Sequence, residues 1–477
     1  MIAQKIPQRI VVPFIGTLLY IVLTRGGGEA ILTGMEEEGT HVEGGGFRID
    51  RDIALAKLAS FQLEDEDLLV PWIRLAVERG AHELRFDRRG ADLEIRCDGS
   101  ALPEDAVRDP FSKYLGSEER PPLVVYLAAG LLGLSRLGGC LRVESGDGRR
   151  TAAAGGRTAA EYGRREAAPR RGTLILVGGP DPRKLARALA GIAARRMWCP
   201  TRVLVEGRPL PAKDGDWVSW REEGREFRMR PAPDPWGDAS SLRLWIHGAA
   251  AQTLACDTPW APIAAEVRDD ALVLDASLSR AVEGNQTQAL LKILRTRVRE
   301  LVYKEAVAQS AAAPRLMSWR KAPGMHAAWA GKPFDVGALR GLLRWAAGVA
   351  PPPQEDYESL RRAAARVRWL RACVRGRLNS YEGDSRDKTR RALWKAPLFM
   401  NSGDGWLSML SLQAIRRQHK ALVMTAVPGR SAHISMKGPA GSERKRYIPT
   451  SQCVLTLAPH DAEDLERLFP GEVRTPE

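Results

Sequence analysis

The chain of 477 residues lacks most of what nucleophilic or metal-dependent catalysis draws on. Its six cysteines, Cys97, Cys140, Cys199, Cys256, Cys373 and Cys453, form no C-x-x-C pair and stand beside no histidine pair. That pattern excludes a zinc finger or ribbon and a disulfide framework, so no metal site is expected. Single scattered thiols fit a reducing cytosol, which predicts a cytoplasmic protein. The seven histidines, His41, His82, His247, His326, His419, His433 and His460, are dispersed and read as structural or exposed. No G-x-S-x-G, phosphate-loop lysine motif or H-E-x-x-H occurs, and no repeat of fixed period. No apolar run reaches the ~20 residues of a membrane span. The longest, residues 10–24, is interrupted by Pro13 and Gly16 and followed by no small-residue cleavage site. It reads as buried strands, and no membrane partner is expected.

Acidic residues are also in deficit, 58 against 72 Lys and Arg, for a net charge of +14 and a pI near 9.7. Such an excess raises affinity for polyanions and says nothing about fold. It fits a nucleic-acid partner and equally a solvated, Arg-rich surface. What remains is ordinary: 44% hydrophobic and 27% charged residues describe a globular chain of about two to four domains.

Residues 26–46 are rich in Gly and Glu and read as turns or a loop. Ile53, Leu55, Leu58 and Phe61 then recur at helical spacing, with Asp50 placed to cap. A second helix runs through Trp72, Ile73, Ala76 and Val77 and stops at Gly80. Leu84 and Phe86, then Leu93 and Ile95, alternate with polar residues about Arg88-Arg89-Gly90, the pattern of a hairpin leading to Asp98-Gly99. A short helix in LPEDAVRDPF, an apolar helix broken by glycines in PPLVVYLAAGLLGLSRLG, a strand–turn–strand and the buried strand RGTLILVG follow.

This order, with WIRLAVERGAHELRF, CDGSALP, LAAGLLGLSRLG and Gly172-Thr173-Leu174-Ile175, resembles the GHKL superfamily, whose members include gyrase, the heat-shock chaperones, histidine kinases and MutL. The resemblance implies an α/β sandwich over residues 1–180 that holds ATP or ADP. It would give Asp98 the adenine amino group, Thr173 a supporting hydrogen bond, and Gly99, Gly130 and Gly133 the close approach of backbone to phosphates. Ala101 replaces the second glycine of the D-G-x-G motif. Working members carry a Glu that activates water and, four residues on, an Asn that ligates magnesium, both on one helix face. Aligned on Gly80-Ala81, those positions are Pro71 and Leu75, and the next acidic position is Glu78. Proline is no base and leucine no ligand for a hard cation, so no catalytic residue is assigned and a pseudo-ATPase is expected. A residual ATPase would need its base and ligand from Glu64, Asp65 or Glu66 ahead of the helix.

Beyond, residues 181–312 read as a middle, transducer-like α/β domain. It would open with a helix and a hairpin at Val203, Val205 and Pro209-Leu210, continue through a strand at Leu242, Leu244 and Ile246 and another over residues 271–275, and close with a long amphipathic helix through Leu290, Leu294, Val298 and Leu301, capped by Asn285. Residues 313–353 read as a linker ending in three prolines. Residues 354–477 begin with a basic helix and end as a small α/β domain closed by an amphipathic helix over residues 461–469. Arg361, Arg362, Arg366, Arg368, Arg371, Arg375 and Arg377, with Arg390 and Arg391 beyond, could line a phosphate-contacting face, or could be solvated and paired while Val367, Trp369, Leu370 and Val374 pack inward. The whole reads as a non-hydrolysing, chaperone-like scaffold that binds other protein subunits, with a homodimer as one form it could take. The alternatives are a nucleic-acid-engaging relative of DNA repair or prokaryotic defence, and a weak ATPase.

Overall fold

The computed structural model describes residues 9–14, 17–22, 64–116, 121–157, 162–211, 217–237, 239–275, 278, 280–282, 284–319, 325–332, 354–375, 386–437 and 443–475. Asp50, the stretch 26–46, the helix expected near Ile53, the triple proline and Arg377 lie outside the described residues. The architecture is α/β, with three mixed or antiparallel sheets of five strands or more and two separate hairpins. The apolar run at the N-terminus forms one of those hairpins, β1 (Arg9–Phe14) against β2 (Thr17–Val22).

A single turn of 3-10 helix (Asp65–Asp67) leads into α1 (Val70–Glu78), which ends at Gly80 with φ of 65°. The hairpin β3 (Glu83–Arg89) and β4 (Asp92–Cys97) follows. Next come α2 (Glu104–Arg108), α3 (Pro110–Gly116) and α4 (Pro122–Arg136). Then β5 (Cys140–Asp147), β6 (Thr151–Gly156), β7 (Gly163–Arg164) and β8 (Arg171–Gly178) precede α5 (Pro182–Ala193), whose cap Asp181 accepts from the amides of Arg183 and Lys184. The hairpin β9 (Arg202–Val205) and β10 (Arg208–Pro209) forms as its alternation predicts, but it joins the first sheet, not a middle domain. The sheet order is therefore β10-β9-β3-β4-β8-β5-β6-β7, and this body runs past residue 180. Alternate residues Leu84, Phe86, Leu93, Ile95, Val143, Ile175 and Val177 face one side, where α1, α4 and α5 cover them in one core.

The second body is the sheet β11-β12-β15-β13-β14, formed by β11 (Val218–Glu222), β12 (Arg225–Pro231), β13 (Ser240–Ile246), β14 (Ala249–Cys256) and β15 (Ile263–Arg268). Glu223-Gly224 and His247-Gly248 make its two-residue turns with φ positive at both positions, the geometry that suits strand twist. Residues 271–275 do not form the expected strand; only an isolated bridge joins Leu274 to Ala281. The long helix α6 (Asn285–Trp319) buries Leu290, Leu294, Val298 and Leu301. Asn285 is its first helical residue and not its cap, since the carbonyl of Gly284 already accepts from Gln288.

The helices α7 (Met325–Trp329), α8 (Gln354–Cys373) and α9 (Lys388–Lys395) precede β16 (Pro397–Asn401), β17 (Trp406–Ser408), α10 (Met409–His419) and β18 (Leu422–Thr425). The hairpin β19 (Ala432–Lys437) and β20 (Glu443–Ile448), then β21 (Cys453–Leu455), α11 (Pro459–Leu468) and β22 (Val473–Arg474) complete a third sheet in the order β17-β16-β21-β18-β22. The expected break at 313 falls inside α6. One core holds Leu244, Leu294 and Val298 of the second body together with Trp369, Leu398 and Leu465 of the C-terminal part.

Candidate functional site

Of the nucleotide-site residues implied by the family motifs, Asp98, Gly99 and Thr173 meet where β4 ends and β8 begins, whereas Gly130 and Gly133 lie within α4, and each is engaged inside the protein. Asp98 follows β4 and is exposed; its Oδ1 accepts from the amides of His82 (2.8 Å) and Glu83 (2.9 Å). Gly99 lies under the end of α1, where a Cβ would stand 3.0 Å from the Arg79 carbonyl and 3.2 Å from the Ala81 Cβ. Arg79 adds hydrogen bonds from its side chain to the Ser100 and Ala101 carbonyls, and its own carbonyl accepts from the Ser100 amide. The Asp-Gly segment thus staples the α1–β3 connection.

Thr173 is buried on β8, and its Oγ1 shares a 2.8 Å hydrogen bond with Ser145 on β5, whose Oγ also accepts from the Leu102 amide. Between Asp98 and Thr173 sits Gly172, at φ of 81° and with its Cα hydrogens toward the Cys97 carbonyl; an added Cβ would lie 2.6 Å from that oxygen. Only glycine suits that place. The two residues are therefore neighbours at the ends of adjacent inner strands, with separate partners.

Gly130 and Gly133 differ from the reading their motif implies. They do not break the apolar segment; both lie inside the continuous helix α4, where their amides belong to the helical ladder and cannot turn to a phosphate. Their missing side chains admit a neighbouring element. A Cβ on Gly130 would stand 2.8 Å from the Trp72 ring, and one on Gly133 3.0 Å from the Leu68 carbonyl. Pro71 and Leu75 are buried on α1 beside them. Ahead of α1, Asp65 is held by Arg136 at 3.2 Å and Arg187 at 2.9 Å, and Asp67 by Arg195.

A buried polar cluster beside this end went unread in the sequence. The β13–β14 turn of the second body inserts into the first, and Ala249 joins the first core. His247, left-handed at φ of 45° and 6% exposed, contacts the Tyr126 hydroxyl of α4 through Nδ1 (2.9 Å) and the Glu78 carboxylate of α1 through Nε2 (2.7 Å). Its amide donates to Asp270. Next to it the wholly buried Arg74 donates to the Leu278 carbonyl at 2.6 Å. Burial pushes the Arg74 guanidinium down to about 10 and the Tyr126 phenol up to about 12. Glu78, His247 and Tyr126 satisfy one another across the two bodies, which makes a junction and leaves no polar atom of the imidazole free. The readable signal was the His-Gly dipeptide between alternating apolar residues, a hairpin turn of two residues.

The basic helix is engaged as well. Arg371 is 1% exposed; it pairs with Asp461 (2.8 Å) and Asp464 (3.0 Å), donates twice to the Leu398 carbonyl and stacks on Phe399. It takes no part in a surface for phosphates, because burial of the apolar side of α8 carries it inward. Arg366 pairs with Glu305, Arg368 with Asp464, Arg361 with Glu358, and Arg375 donates to the Trp236 carbonyl. Arg390 pairs with Asp387, while Arg362 and Arg391 are exposed and not without partners. Among the described residues no group of three or more His, Cys, Asp or Glu could hold a metal ion, and no helix is long and apolar enough to cross a membrane.

No protein-family model matches the chain, and no curated protein matches it. Among solved structures, the B-subunit of the DNA gyrase from Myxococcus xanthus is 14% identical, over 49% of this chain and 89% of that one, with a TM-score of 0.33.

Proposed function

We infer that the chain is a non-hydrolysing, GHKL-type scaffold: a pseudo-ATPase that acts by binding other protein subunits. The observation that carries this reading is the state of α1 and α4. The positions of the water-activating Glu and the magnesium-binding Asn are the buried Pro71 and Leu75, and the glycines of the phosphate motif seat Trp72 and Leu68. Losing a general base alone costs ~10²–10⁴ in rate. The Asp98 carboxylate already serves two backbone amides. ATP or ADP is then at most a stabilising ligand of the first body and never a fuel. Protein partners follow from the same logic, because a fold kept without its chemistry acts through its surfaces.

The test is capture of the tagged full-length chain from its native cell extract, with and without enzymatic removal of ATP. A scaffold is recovered in the same stoichiometric complex under both conditions. Recovery as a lone chain, or release of the partners when ATP is removed, contradicts the reading.

A further inference from the structure

We propose that the outer face of the second sheet is a binding platform for single-stranded nucleic acid, built from Trp217, Arg230 and Arg243 over a floor of small side chains. The register places the residues. Ser219, Arg228, Glu266, Arg243 and Thr253 form one continuous row across β11, β12, β15, β13 and β14. Period two puts this row on the face opposite Phe227, Val267 and Leu244, which lie in the core. The next row on the same face is Arg230, Ala264, Ser241 and Ala255, the last three small enough to leave a shallow trough.

Along the wall of that trough, indoles and guanidinium groups alternate. The Arg228 Cζ lies 4.3 Å from the Trp198 ring and 4.7 Å from the Trp217 ring, and the Arg230 Cζ lies 4.5 Å from that same Trp217 ring. The inner part of this ladder is structural, since Arg228 is buried and clamped to Glu266. The outer part is not. Among the described residues no ion pair engages Arg230 or Arg243, Arg243 is exposed, and buried guanidinium atoms of Arg228 (Nη1) and Arg230 (Nε) have no hydrogen-bond partner. Arg230 and Arg243 both bear electrostatically on Arg228, so three like charges gather about one glutamate.

Like charges held together with unfilled donors are relieved by an anion. A planar guanidinium seated on an indole at the outer end of such a ladder, beside a trough and a second cation, suits a polymer that alternates flat bases with phosphates. The platform is distinct from the basic helix α8, whose arginines are turned to their own neighbours.

The experiment is fluorescence anisotropy of a labelled oligothymidylate of about twenty nucleotides against the full chain, with salt varied from about 50 to 200 mM. Arg230→Ala and Trp217→Ala should each weaken binding by about tenfold, and Arg243→Gln, at an exposed position that leaves folding intact, should do likewise and lower the log–log salt slope by about 0.7. Arg361→Ala with Arg362→Ala should change nothing. Absence of saturable binding at the lowest salt overturns the proposal. So does a loss that follows Arg361 and Arg362 instead of Arg243. Displacement of the oligonucleotide by polyglutamate, with Trp217→Ala silent, also overturns it, because the face would then read charge without bases.

Discussion

Gly130 shows how one missing side chain decides what a motif does. Its Cα faces the Trp72 ring so closely that α1 and α4 touch there through an indole. Gly130→Ala should therefore destabilise the first body by about 1–3 kcal/mol through overpacking. Urea unfolding followed by tryptophan emission reads the shift, and an unchanged midpoint would show that the indole moves aside freely. Arg371 is the counterpart among charges. With Asp461 and Asp464 buried at 2% and 0% exposure, Arg371→Ala leaves Asp461 without its arginine and Asp464 with Arg368 alone, and should cost about 3–5 kcal/mol. A melting temperature within a degree or two of the wild type would contradict that. At this scale the sequence was legible for identities and silent on pairing. Asp98, Gly99 and Thr173 do meet where β4 ends and β8 begins, yet their bonds to His82, Glu83 and Ser145 depend on which loops fold over them. Arg371 could not be told from the other arginines of its helix, because its partners lie ninety and more residues away.

Among the elements, α11 carries a pH response of its own. His460 sits in its first turn with Nε2 buried and without a hydrogen-bond partner, and burial lowers its affinity for a proton below the usual value near 6.5. Because the unfolded chain takes up that proton more readily, stability contributed here is present above about pH 6.5 and is lost as pH falls below it. A cation at a helix N-terminus adds to the same direction. Thermal melts between about pH 7.5 and 5.5 should fall less steeply for His460→Gln than for the wild type; equal slopes would remove His460 as the cause. Elements with strong period were legible: β3 and β4 from Leu84, Phe86, Leu93 and Ile95, and α6 from Leu290, Leu294, Val298 and Leu301. Others were not, because tertiary packing overrode local preference. Glycine is ~1 kcal/mol worse than alanine in a helix, yet α4 runs unbroken through two of them since its burial outweighs that cost. Residues 271–275 are an apolar run, but among the described residues they meet no strand to pair with beyond one bridge.

Among the described residues two large cores hold most of the buried apolar side chains. The first takes in β9 and β10 and, from the second body, Ala249 and Leu278; the second joins α6 to Trp369, Leu398 and Leu465. Charge and proline content mark where a chain can be cut, but not which segments share a core. A chain ending at 353 should expose the apolar face of α6 and keep only the melting transition of the first body, whereas a second transition retained in that chain would show the second body to be self-sufficient. The fold as a whole is arranged to hold, with Glu78, His247 and Tyr126 locking the first body to the second. The most direct measurement is the initial rate of phosphate release from magnesium-ATP by the purified full-length chain. Release indistinguishable from the protein-free blank, and unaltered by Asp98→Asn, is the expected result; magnesium-dependent release that Asp98→Asn abolishes would show that Pro71 and Leu75 have not silenced this body.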